Sequence, residues 1–293
     1  MSDDLHALTA GGITAIVKAD GSELCSLKTV DGLELLWQAG PVWPRHAPWL
    51  FPIVGRLKDD QFRHRGRTYA MTQHGFARDL RFDWLERSAD ACVLRLADDA
   101  ITRARYPFAF SLTLTYRITA DRLDAMIEIA NTGDEVLPAS FGAHPAFNWP
   151  LLQGQPKESY RLVFAAAEPA PIRRLAGGLM RQGAEPSPIQ GRVLPLSERL
   201  FDEDAVILDQ PVSRSVRYTG EKGPALELAW DGFRELGIWS KPGGAPFLCI
   251  EPWRGYASPV DFNGDLSAKP GSMQIQPGRA EMFTYRMKVE MSR

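Results

Sequence analysis

Two side chains in this sequence stand where proton chemistry is easily staged. His144, in Phe141-Gly-Ala-His-Pro-Ala-Phe-Asn-Trp149, and Glu251, in Cys249-Ile-Glu-Pro-Trp-Arg-Gly255, each immediately precede a proline. The proline ring pushes the preceding residue into extended geometry, so both side chains are presented from stiff backbone. Aromatic residues follow each of them, Phe147 and Trp149 in one segment and Trp253 in the other. A flat ring beside a proton carrier suits the apolar C–H face of a sugar; the competing reading is that these rings fill the core. Histidine ionises near pH 6.5 and glutamate near 4.3, so the two types can serve as a general acid and base at neutral pH once their surroundings tune them.

Two further segments are dense in polar residues that an ordinary turn does not need. Leu50-Phe-Pro-Ile-Val-Gly-Arg56 carries Arg56, and Gln73-His-Gly-Phe-Ala-Arg-Asp79 carries His74 and Arg78. Nothing in the chain reads as a phosphate cradle, an activated nucleophile or a metal set. The remaining histidines, His6, His46 and His64, have no ligand spacing and are expected on the surface or in loops. Cys25, Cys92 and Cys249 are odd in number and far apart, which predicts neither a disulfide framework nor a zinc site and fits a reducing cytoplasm. A net charge of −2 offers no electrostatic footprint for nucleic acid or anionic lipid. No apolar run is long enough to span a membrane, and Ser2-Asp3-Asp4 stands where a signal peptide would carry basic residues.

The elements that must position these segments are strands. Leu112, Leu114 and Tyr116 alternate with Thr113 and Thr115; after a polar turn at residues 119–122 the pattern resumes with Leu123, Ala125, Ile127 and Ile129. That is a hairpin signature. Phe283, Tyr285, Met287, Val289 and Met291 alternate with polar residues near the carboxyl end. Shorter strands are expected at residues 12–18, 33–38, 91–96, 216–218 and 246–250. Helical periodicity is confined to short stretches such as residues 99–106, which Pro107 stops. Residues 168–188, rich in Pro, Gly and Ala, are expected to form a surface excursion. With 44% apolar residues and no dividing linker, residues 1–293 read as one all-β domain, a large antiparallel sandwich.

The four segments, in this order, resemble the aldose 1-epimerase (galactose mutarotase) family, and within it the LacX-like branch. The resemblance runs from Leu36-Trp37 to Pro277-Gly278 before the last strand. It implies an antiparallel β-supersandwich, a sugar substrate and no metal or organic cofactor. It also implies Glu251 as the base that takes the anomeric hydroxyl proton and His144 as the acid that protonates the ring oxygen. His74 and Arg56 resemble the family's substrate-orienting residues; Trp253, from its place beside Glu251, is the candidate ring to stack on a sugar. The aspartate that grips sugar hydroxyls has no unmistakable counterpart; Asp204 is the best placed, with Asp202 and Asp209 as rivals.

Three competing functions stay open on the residues alone. Arg78, Arg254 and Lys241 adjoin the motifs and leave room for a hexose 6-phosphate mutarotase; the segment ending in Arg78 also resembles the hexose-phosphate mutarotase branch, a resemblance that implies Arg78 helps to hold the phosphate. A glycosidase needs two carboxylates about the scissile bond, and the motifs offer one. A non-catalytic sugar-binding protein on the same fold would not need an acid and a base aimed at one ring.

Overall fold

The computed structural model describes residues 4–291. Residues 1–3, which hold most of the acidic amino-terminal stretch noted above, and residues 292–293 lie outside it.

The alternating segments become the longest strands. Phe110–Ile118 buries its Phe, Leu, Leu, Tyr and Ile positions and leaves the intervening residues partly exposed. It pairs antiparallel with Arg122–Asn131, Leu123 opposite Ile118, as the two-residue periodicity predicts. Arg122–Asn131 pairs in turn with Ala280–Glu290, the carboxyl-terminal alternating segment. Among the described residues these three strands are the centre of a nine-stranded sheet that runs from Val193–Pro195 at one edge to Asp83–Arg87 at the other. A second, six-stranded sheet has Val206–Leu208, Glu235–Trp239, Phe247–Arg254, Phe141–Ala143 and Trp49–Leu50 in that order, with Ala146–Asn148 also paired to Phe247–Arg254.

The two sheets share one core. Phe141 of the smaller sheet meets Phe283 of the larger at 5.3 Å between ring centres. The Trp49 indole N–H donates to the Tyr116 hydroxyl at 2.6 Å, and the Tyr285 hydroxyl donates to the Ile250 carbonyl at 3.3 Å. Both faces are apolar at every second residue, so each can be covered only by the other. The outcome is the antiparallel β-supersandwich the sequence predicts. The short helix also forms, as Ala100–Arg105, with Asp99 capping it by accepting from the Thr102 N–H at 2.7 Å. No helix among the described residues is long and apolar enough to cross a membrane.

Two segments differ from expectation. Residues 33–38 form isolated bridges rather than a strand. The Glu34 carboxylate accepts from the backbone N–H groups of Leu27 and Leu36, at 2.9 and 3.0 Å, and so replaces the ladder that a strand would supply. Residues 168–188 are not a plain excursion. They hold a small hairpin, Leu175–Ala176 with Leu179–Met180, and bury Ile172 and Met180. Arg173 exchanges backbone hydrogen bonds with Ile207, which lays the hairpin along the edge of the six-stranded sheet. Apolar residues spaced among the Pro and Gly supply that anchorage.

Candidate active site

His144 and Glu251 are brought together by sheet register. Phe247–Arg254 pairs with the two short strands that flank His144, Trp253 opposite Gly142 and Cys249 opposite Ala146. The same register on both sides of the break places His144 directly across from Glu251. Opposed side chains of an antiparallel pair share a face with Cβ atoms about 4.5–5.5 Å apart. Pro145, which cannot donate to the ladder, marks the break. The His144 Nε2 and Glu251 Oε2 atoms are 3.3 Å apart. Their alignment does not make a hydrogen bond: among the described residues neither Glu251 Oε2 nor His144 Nδ1 has a hydrogen-bond partner. Glu251 is 1% exposed and His144 7%. Buried polar atoms without hydrogen-bond partners are uncommon in folded proteins, and here four of them, these two with Arg78 Nε and Trp253 Nε1, belong to residues lining one site.

Burial moves the pair's protonation in opposite directions. It lowers the His144 imidazole to about 3, with the Arg78 and Arg45 cations adding to the shift. It holds the Glu251 carboxyl well above its ordinary value; the Trp253 indole pulls the other way, and the Asp204 carboxylate adds to the rise. Burial thus disfavours the ionised form of each and favours neutral imidazole beside neutral carboxyl. That state carries the same number of protons as imidazolium beside carboxylate, so the two differ only in where one proton sits.

His74 lies next to this pair, its ring edge-on to that of His144 with centres 5.5 Å apart. Its backbone N–H donates to the Gly55 carbonyl at 2.8 Å, and its Nδ1 accepts from the Gly55 N–H at 3.1 Å. Accepting at Nδ1 puts the proton of the neutral ring on Nε2. Burial, followed by the His144, Arg78 and Arg45 charges, keeps the ring neutral. His74 can thus present one N–H donor to a ligand. The residue adopts φ +69°, a left-handed conformation costly for a non-glycine residue, which the double contact with Gly55 holds in place.

Three indoles enclose the pair. Trp43 stacks on the His144 ring at 5.1 Å and 27°, and Trp239 meets it edge-on at 5.8 Å. Trp253 lies flat across its own sheet. A Cβ on Gly237 of one neighbouring strand would come within 2.4 Å of the indole's Cη2 and Cζ2, and one on Gly142 of the other within 2.6 Å of Cδ1. Only glycine on both flanking strands leaves room for a ring in that pose.

These groups line one cavity of about 260 Å³, slightly below the roughly 300–1,000 Å³ typical of ligand pockets and suited to a single small molecule. His74, Arg78, His144, Asp204, Glu251 and Trp253, far apart in sequence, all reach it. Of the three candidate aspartates, Asp204 alone is at the cavity; Asp202 is exposed, and Asp209 faces Arg173 at 3.9 Å. Arg56 is placed elsewhere. Its guanidinium donates to both Asp60 carboxylate oxygens, at 2.7 and 2.6 Å, and to the Gly177 carbonyl, and it is not among the cavity-lining residues. A strong local acceptor four residues along holds the side chain away from the site.

Phe147 and Trp149 are core residues, fully or almost fully buried, so the core-filling reading holds for them. Sequence reasoning did not find Trp43, Trp239, Gln73 or Leu175, which also line the cavity. Trp43 carried a usable signal, an aromatic between prolines in Pro41-Val-Trp-Pro44. Its loop is fixed where Lys241 donates to the Val42 carbonyl and the Trp37 indole donates to the Trp43 carbonyl, both at 2.8 Å. Lys241 is thus occupied with backbone. His6, His46 and His64 lie outside the cavity lining; His46 is in a loop, as expected, half-buried near Glu23, whereas His6 and His64 lie in the strands Leu5–Ala10 and Gln61–His64.

A β-supersandwich with a buried Glu–His pair in an indole-lined pocket defines a protein of the galactose mutarotase-like class. Residues 4–271 match the aldose 1-epimerase family, and the chain belongs to it. It is 33% identical to protein LacX of Lactococcus lactis subsp. lactis over 276 residues, 90% of this chain and 92% of that one. Among solved structures it is similar to the galactose mutarotase related enzyme of Lactobacillus acidophilus (29% identity, TM-score 0.88, 99% of this chain and 100% of the other). It is similar also to a galactose mutarotase-like protein from Lactobacillus casei ATCC 334 (28% identity, TM-score 0.91, 98% and 100%).

Proposed function

We propose that the protein is a cofactor-independent mutarotase, one domain over its whole length and cytoplasmic, that interconverts the α and β anomers of a free aldose. The observation that carries this reading is the 3.3 Å approach of His144 Nε2 to Glu251 Oε2 inside a pocket the size of one small ligand.

In the closed-ring complex Glu251 takes the proton from the anomeric hydroxyl while His144 gives one to the ring oxygen. The C1–O5 bond opens, leaving an aldehyde, neutral imidazole and neutral carboxyl. Rotation about C1–C2 presents the other face, and as the ring closes His144 takes back the proton from the O5 hydroxyl while Glu251 returns its proton to the carbonyl oxygen. Because the charged and neutral forms of the pair hold equal numbers of protons, each half-reaction changes one form into the other. Burial, which favours the neutral form, therefore stabilises the side of the cycle that holds the open-chain sugar. The His74 Nε2–H is placed to donate to a ring or hydroxyl oxygen, Asp204 to accept from hydroxyls, and Trp253 to offer a face to ring C–H groups. Uncatalysed mutarotation already proceeds in water, so an acid and a base at about 10²–10⁴-fold each supply an adequate acceleration.

One observation favours a second reading, a phosphorylated or otherwise anionic sugar. The Arg78 guanidinium lines the cavity with no hydrogen bond at Nε, which lies 3.9 Å from Asp79 Oδ2, and with its Nη2 donating to the Gln73 carbonyl at 2.7 Å. Against it stands the scarcity of further cations there, since a phosphate dianion usually needs at least two. The deciding experiment is anomer exchange followed by NMR across free and phosphorylated aldoses. Exchange with no sugar faster than in buffer would leave only a binding protein.

A further inference from the structure

The acid–base pair has a third neighbour that proton transfer does not use. Cys249 lies two residues before Glu251 on the same strand, so the two side chains share a face. It is fully buried and packs with Ala146, Ala245 and Phe247 beneath Trp43 and Trp239, the indoles that also touch His144. A ligating nitrogen of His144, the Cys249 Sγ and a carboxylate oxygen of Glu251 all lie within 4.8 Å of one another. His144 Nδ1 and Glu251 Oε2 have no hydrogen-bond partner, so two buried polar atoms of this cluster are free to bond to something else.

We infer that His144, Cys249 and Glu251 form a binding site for a soft divalent cation of the zinc class, and that its occupation switches the acid–base pair off. One thiolate, one imidazole and one carboxylate form a donor set that such ions accept, with a fourth position left to water or a ligand hydroxyl. Bond lengths of about 2.0–2.3 Å require donors roughly 3.5 Å apart in a tetrahedron, so a separation at the 4.8 Å bound closes by about 1.3 Å, within reach of side-chain adjustment. The thiol, and the carboxyl where it carries one, release their protons to solvent as the ion binds. Sulfur selects against hard ions, so magnesium and calcium are not bound here. An ion in this position occupies the groups that would accept and donate protons. Zinc then blocks proton transfer by the pair whichever sugar is bound.

The test is a titration of the full-length protein with Cd²⁺ and Zn²⁺, read by the ultraviolet thiolate-to-cadmium charge-transfer band and by calorimetry. Neither readout depends on sugar turnover, so failure of this site and failure of the mutarotase reading remain distinguishable. One equivalent is expected to bind with appearance of the band, Mg²⁺ giving none. In Cys249→Ala the band should vanish and zinc affinity fall by at least about tenfold. Cys249→Ser, which keeps the volume, gives the same reading should the alanine variant not fold. Absence of a band in the parent protein, or zinc affinity unchanged in the folded cysteine variant, overturns the site.

Discussion

The Trp253 indole lies flat over Gly237, in the space that any larger residue's Cβ would occupy, 2.4 Å from the ring carbons. Gly237 pairs in register with Glu251, so the glycine that admits the indole lies directly opposite the strand position carrying the proposed base. Ring pose and base position are thus set by the same ladder.

Gly237→Ala should tilt the indole out of the pocket floor. The expected outcome is a rise in KM of about tenfold, near the upper end of what one lost aromatic contact supplies, with kcat changed less. Overpacking should also cost about 1–3 kcal/mol of stability. Steady-state anomer exchange together with denaturant melts checks both, and a variant with parental KM would remove Trp253 from the sugar-facing surface.

Glu251→Gln keeps the shape of the side chain and removes its ability to accept a proton. It should lower kcat by about 10²–10⁴-fold while sugar binding, measured calorimetrically, is retained. His144→Asn should do the same. Near-parental exchange in either folded variant would refute the assignment of acid and base.

The buried pair makes stability depend on pH, with opposed signs. Folded His144 resists protonation down to about 3, whereas unfolded histidine binds a proton from about 6.5. Between these values the unfolded chain holds more protons, so stability falls as pH drops from 6.5 toward 3; His74, also lowered, adds to this limb. Glu251 is raised, so the folded chain keeps a proton that the unfolded chain loses above about 4.3, and stability falls as pH rises through the range up to its folded value. Melts from pH 3 to 9 should show His144→Asn flattening the acid limb and Glu251→Gln flattening the alkaline side. An acid limb unchanged by His144→Asn would contradict the neutral imidazole.

If a free aldose is the substrate, kcat/KM for glucose should exceed that for glucose 6-phosphate, and raising the ionic strength should leave the glucose value nearly unchanged. Arg78→Ala should then alter it by less than about tenfold, as for loss of a single hydrogen bond. A preference for the phosphate that weakens with salt and with Arg78→Ala would establish the second reading.

The amino-acid order by itself determined the long alternating strands and which chemistry is on offer. Alternation at residues 112–118, 123–129 and 283–289 decided strand and buried face, because a two-residue period leaves only one way to hide the apolar side, and the short polar turn between the first two made them partners; that Ala280–Glu290 pairs beside Arg122–Asn131 was decided by the fold. His144, His74, Glu251 and Trp253 were legible because prolines, glycines and aromatics surround them in short runs. Tertiary structure decided what is near what. Arg56 sits in a motif as dense as the others, yet Asp60 captures it, and local sequence does not show which of two reachable acceptors wins. Asp204 was separated from Asp202 and Asp209 only when the fold set one of them at the cavity. Trp43 and Trp239 went unmarked in the sequence, because only loop and sheet together close them around His144. Cys249 read as an isolated thiol. Its place beside Glu251 follows from a strand's alternation, but its nearness to His144 comes from a register between segments about a hundred residues apart, which only long-range pairing can set.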